Sequence, residues 1–159
     1  MKTQTNSENC LAAALRILTR RDHSCSELSR KLIDRGFSPD QIEWAVSECL
    51  RLHYLDDARF ADMYANGLQR KGYGCHRIQD KLIAKGLASQ VIATCLENCC
   101  REKFQIQSCR QAMFKKIKSN QHIEVSVKVK AKLYRFLFNR GFSPAVIRQV
   151  MDEVISQSE

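Results

Sequence analysis

Arg35-Gly36-Phe37-Ser38-Pro39 recurs word for word as Arg140-Gly141-Phe142-Ser143-Pro144, and Lys85-Gly86-Leu87-Ala88-Ser89 is a weaker copy between them. Each word reads as the joint between two helices. Glycine closes one helix in the left-handed conformation, serine caps the next, and proline fills its first turn. In the first copy Gln41 stands three residues after Ser38, which completes a capping box, and Phe37 and Ile42 have the spacing of a hydrophobic staple. Ala88 replaces the capping serine in the middle copy, so a looser joint is expected there.

The flanks repeat with the joints. Leu28 and Leu32, Ile78 and Leu82, and Leu133 and Leu137 lie upstream of the three glycines. Ile42, Ala45 and Val46 lie downstream of the first, Ile92, Cys95 and Leu96 of the second, and Ile147, Val150 and Met151 of the third. A period of about 50 residues marks stacked supersecondary units. Ser24-Cys25-Ser26-Glu27 opens a middle helix as a capping box. In Leu55-Asp56-Asp57-Ala58-Arg59-Phe60-Ala61, Asp56 is placed to cap, Asp57 to favour the helix dipole, and Leu55 to staple to Phe60. Gly72 and Gly74 stand before the middle helix of the second unit as poor helix formers.

The expected fold is therefore all-α, with three tandem three-helix repeats forming an elongated, curved array. Residues 1–9 read as a polar tail, 10–54 as repeat 1, 55–98 as repeat 2 and 99–156 as a basic repeat 3. The helices are expected near 10–20, 25–35 and 39–52, then 56–70, 75–85 and 89–98, then 100–118, 126–140 and 144–156. The valines and isoleucine of 123–129 alternate like a strand, but the segment runs unbroken into Leu133-Tyr134-Arg135-Phe136-Leu137 and has no partner strand, so helix is preferred. Trp44, the only tryptophan, follows Ile42 and is expected in the core.

The chain has 159 residues with 44% hydrophobic and 27% charged, and its two prolines argue against a turn-rich β fold. No run reaches the roughly 20 apolar residues of a membrane span, and the polar start is no signal peptide. A cytoplasmic location follows, and with it eight cysteines expected as reduced thiols rather than a disulfide framework. Cys95 and Cys99 are one turn apart, but the paired knuckles of zinc modules are missing, so no metal is expected. The Asp56-Asp57 pair suits capping, the four histidines are scattered, and no phosphate-binding glycine loop occurs, so neither an enzyme nor a bound cofactor is expected.

The net charge is +9, and residues 99–159 hold 12 basic against 5 acidic side chains. Lys115, Lys116, Lys118, Lys128, Lys130, Lys132, Arg135 and Arg140, with Arg148 beyond them, are the candidates for contact with phosphates or an acidic partner. Like charges at helical spacing repel, so concentrating them favours an anionic partner.

Several of these words together resemble the RecX family of RecA regulators. They are Ala14-Leu15 through Leu18 with Arg20-Arg21 and Ser24, Glu27-Leu28, Lys31-Leu32, Gly36, Leu55 to Ala61, Lys71-Gly72, Leu82 to Gly86, and Tyr134-Arg135-Phe136-Leu137 to Gly141-Phe142. The resemblance spans nearly all of the chain after its first ten residues. It implies tandem three-helix repeats, no catalytic residue, and binding in the groove of the RecA filament on single-stranded DNA; a monomer is expected. It also implies modulation, mostly inhibition, of strand exchange, ATP hydrolysis and co-protease action in DNA repair and the SOS response. The alternative is a helical module that binds DNA directly. The helices after the RGFSP joints are acidic or apolar, which disfavours base readout.

Overall fold

A computed structural model describes residues 2–118 and 127–156. Among them are nine α-helices and no strand: α1 Lys2–Leu18, α2 Cys25–Ile33, α3 Pro39–Arg51, α4 Asp57–Arg70, α5 Cys75–Ala84, α6 Ser89–Cys99, α7 Glu102–Lys118, α8 Val127–Asn139 and α9 Pro144–Ser156. Ile123 to Ser126 of the alternating segment lie outside the described residues. From Val127 onward it is helix, and Val129, Leu133, Phe136 and Leu137 recur at helical spacing toward one core. The first helix begins at Lys2, not near residue 10, so the stretch read as a polar tail is the opening of α1.

The described residues divide into two compact units. One takes in the chain up to Ala61 together with Leu82–Ile92, and the other Asp62–Lys81 together with Ala93 onward. In the first, α1 packs on α2 and α3 around Cys10, Ala14, Ile17, Leu28, Leu32, Ile42, Ala45 and Cys49. In the second, α7 packs on α8 and α9 around Cys109, Met113, Leu133, Leu137, Phe142, Ile147 and Val150. Trp44 is not in the core: it is 41% exposed. The buried positions of α3 are Ile42, Ala45 and Cys49, at steps of three and four, and a residue two places after Ile42 points to the far side of a helix.

All three joints have the expected left-handed glycine, with φ of 82° at Gly36, 70° at Gly86 and 88° at Gly141. Gly36 has open space where a side chain would stand, whereas a Cβ on Gly86 would overlap the Ser26 side chain and one on Gly141 the Arg77 backbone. In both places the joint of one repeat docks on the start of the middle helix of the repeat before it. Ser24 Oγ donates to the Lys85 carbonyl at 2.6 Å in the first unit. The Gly74 and His76 N–H groups donate to the carbonyls of Arg140 and Gly141 at 2.8 and 3.1 Å in the second. A Cβ on Gly74 would strike the Gly141 peptide, so this glycine is a close backbone approach, not merely a poor helix former.

The same helix starts receive a second tie. The Cys25 N–H donates to Asp57 Oδ1 at 2.8 Å, and the Cys75 N–H, one repeat later, donates to Gln105 Oε1 at 3.0 Å. The first helix of each following repeat therefore caps the middle helix of the one before. Asp56 caps its own helix, accepting from the Arg59 N–H at 2.9 Å. The capping box expected at Ser24 is only half formed. Its oxygen accepts from the Glu27 N–H at 3.1 Å, but the Glu27 carboxylate turns away to Arg21 at 3.2 Å and Lys85 at 2.6 Å. At the second joint Ala88 offers no cap, and these two bonds from Ser24 and Glu27 hold it from repeat 1.

The cysteines depart from expectation at one pair. Cys75 and Cys100 are joined as a disulfide with Cα atoms 5.7 Å apart, because the start of α5 and the end of α6 meet there. Cys10, Cys25, Cys49, Cys95, Cys99 and Cys109 are free, and all but Cys25 are buried. Burial pushes the thiols of Cys25, Cys95 and Cys109 up to about 12, Asp57 adding to the effect at Cys25 and Cys99 at Cys95, which suits packing groups rather than nucleophiles.

Candidate phosphate-contacting surface

In the second unit, the end of α4 and the turn after it lie against α7 and α8. The turn is set by Gly72, φ 77°, where a Cβ would press on Ala112 of α7. A cleft of about 250 Å³ opens beside this contact. Five cationic side chains line it, Arg70, Lys71, Lys115, Lys116 and Arg140, and no carboxylate does.

The aromatic side chains of this region organise the charges. The Arg140 guanidinium lies 5.2 Å from the centre of the Tyr73 ring and 4.9 Å from that of Phe136, and its Nη1 donates to the Lys71 carbonyl at 2.6 Å. The Lys116 ammonium lies 5.4 Å from the Phe136 centroid. Arg140 is thus a positioning residue at the cleft wall, held by backbone and rings, with the remainder of its fork left for an anion.

Of the residues expected to contact phosphate, the fold brings Lys115, Lys116 and Arg140 to this cleft. Lys128, Lys132 and Arg135 recur on one face of α8 but do not line it, and Lys130, half-buried, lies two residues off that face. Lys118 closes α7, and its side chain lies outside the described part; Arg148 is exposed on α9. Arg110, on α7, pairs with Glu153 of α9. Sequence reasoning missed Arg70 and Lys71. They stand in a stretch whose summed charge is nearly neutral, and the usable signal was the Arg-Lys-Gly run at the end of α4. Among the described residues, no three of His, Cys, Asp and Glu stand together as they would around a metal ion. No described helix is long and apolar enough to cross a membrane.

Fold and surface together define a tandem three-helix-repeat protein that gathers cations on a surface cleft. The chain matches the models of all three three-helix domains of RecX, the first over residues 10–49, the second over 56–96 and the third over 105–151. It is 37% identical to the regulatory protein RecX of Legionella pneumophila (strain Corby), covering 91% of this chain and 93% of that one. It is 32% identical to the RecX of Yersinia enterocolitica, covering 91% and 97%. The crystal structure of RecX from Lactobacillus salivarius superposes with a TM-score of 0.83 at 20% identity over 94% of this chain and 97% of that one, a likeness of fold. This chain belongs to the RecX family, whose relatives are named regulatory proteins.

Proposed function

We propose that this chain regulates the RecA recombinase by occupying the groove of its filament on single-stranded DNA, and that the prevailing effect is inhibition. Membership in a family whose relatives are named regulatory proteins supports a protein partner, and RecA is the partner that the resemblance implies. The observation that carries the molecular part is the cleft of Arg70, Lys71, Lys115, Lys116 and Arg140, where five cations converge without a carboxylate among them. Such a site suits phosphates of the bound strand, which it would hold by charge without reading sequence. The action is by binding, in the cytoplasm, with the monomer as the working form.

The test is RecA-dependent ATP hydrolysis on single-stranded DNA with substoichiometric amounts of the protein, wild type against Lys115→Glu/Lys116→Glu. Hydrolysis falls with the wild type and falls less with the variant. Unchanged hydrolysis together with no association with the filament would overturn the reading. Tight binding to free DNA with no effect on RecA would favour the alternative of a direct DNA-binding module.

A further inference from the structure

A second cationic cleft lies in the first unit, where summed charge gave no hint of one. It measures about 560 Å³ and is lined by Arg16, Arg20, Arg21, His23, Lys31 and Arg35, with no carboxylate in its wall. Basic side chains near helix C-termini commonly serve only the helix dipole, and Arg16 and Lys31 have that placement. Two observations point further. The first is that Arg16, Arg20 and Lys31 make no hydrogen bond or ion pair through their side chains among the described residues, while Arg21 is held by Glu27 and Arg35 reaches the Ala13 carbonyl at 3.4 Å.

The second observation is His23. Its side chain is almost wholly enclosed, the residue being 3% exposed. Nδ1 lies 2.8 Å from the Arg21 carbonyl, which can only accept, so Nδ1 carries a proton. Nε2 is buried with no partner. A buried polar atom without a partner is rare and costly, and the residue that carries it lines a cleft of cations.

We infer that this cleft binds phosphodiester groups of a nucleic-acid strand, with His23 Nε2 as the buried donor at its wall. Arginine forks match phosphate oxygens, and a strand offers a charge at every nucleotide for cations that stand on α1, α2 and the segment joining them. Nε2 can donate only as the imidazolium, so binding takes up a proton from solvent. In the free protein burial lowers the His23 pKa, and the cations of Arg21 and Lys31 add to that, against the raising effect of the Arg21 carbonyl and Glu27. Arg16, Arg20 and Arg35 also line the cleft, and the Glu27 carboxylate is shared with Lys85. A bound phosphate offsets the cations, so the strand binds more tightly as pH falls.

The inference adds a site to the proposed function and does not need the cleft of the second unit. Its test uses the full-length chain and a short oligothymidylate without RecA, so a failed effect on RecA leaves it standing. The probe carries only phosphodiesters, whose charge is constant across the range where histidine titrates. NMR follows the ring signals of His23, His53, His76 and His122 against pH. Saturating oligothymidylate raises the pKa of His23 by about one unit, equivalent to about tenfold tighter binding to the protonated form. Arg20→Ala/Lys31→Ala, which removes two exposed side chains, abolishes the rise with thermal stability retained. A His23 signal that titrates alike with and without bound oligothymidylate would overturn the inference. So would an equal rise with inorganic phosphate at the same concentration, or a rise given by polyglutamate and not by the oligonucleotide.

Discussion

At the scale of single residues, Glu27 shows how a position with a local role is taken over by its surroundings. Three residues after Ser24, it has the spacing to close a capping box, yet its carboxylate bridges Arg21 and Lys85, a residue 58 positions away. Burial alone would raise its pKa. The hydrogen bonds from Arg21 and Lys85 and their charges outweigh that and hold the carboxyl down at about 2. Its ordinary value is higher, so the folded state binds fewer protons at Glu27 than the unfolded chain. The stabilisation is present above the ordinary carboxylate range and is lost as pH falls from there toward 2. Glu27→Gln is expected to cost about 2 kcal/mol near neutral pH, below the range for fully buried pairs because Arg21 is half-exposed. The variant should also show a flatter loss of stability in acid, read from urea unfolding at several pH values. A variant as stable as the wild type and equally acid-sensitive would remove the bridge from the account.

Among the elements, the joints carry the repeat and also the link from each repeat to the next. The three glycines share one backbone conformation, but only Gly86 and Gly141 also sit against a neighbouring helix start. Gly36→Ala should therefore cost only the left-handed strain, about 1–2 kcal/mol. Gly141→Ala adds a collision with the Arg77 backbone and should cost about 3 kcal/mol or more. Thermal unfolding of the two variants side by side checks the order, and equal losses would mean that the docking of the joint contributes nothing. The residue before each glycine follows the same logic. Lys85 and Arg140 reach back to the preceding repeat, while Arg35, in the first repeat, lines the cleft of the first unit.

At the scale of the whole molecule, the charge asymmetry in the sequence understates how cations are distributed. The basic third repeat contributes Lys115, Lys116 and Arg140 to the cleft of the second unit, but Arg70 and Lys71 come from the nearly neutral middle of the chain. The first unit gathers a comparable set from a segment of almost balanced charge, because no carboxylate lines the cleft and Glu27 reaches only Arg21 of the set, sharing its charge with Lys85. On the proposed function, binding to single-stranded DNA weakens as salt rises. Lys115→Ala/Lys116→Ala should shallow the log–log slope by about 0.7 for each phosphate contact removed. Fluorescence anisotropy across a salt series measures it, and an unchanged slope would place the phosphates elsewhere.

The chain by itself determined its three-repeat plan, with the nine helices of the described residues. Capping serines and aspartates, left-handed glycines and apolar residues at steps of three and four act over less than two helical turns, where covalent geometry fixes who meets whom. Tertiary structure alone decided which groups those helices bring together. Trp44 went to the surface because the arc that α3 buries starts at Ile42 and excludes it. Asp57 and Gln105 became caps for helices of the preceding repeat. Cys75 met Cys100, and Arg70 and Lys71 met Lys115 and Lys116. Such pairings join residues tens of positions apart, and they depend on how helices pack. That packing is the sum of many small contacts, which no local spacing in the sequence encodes.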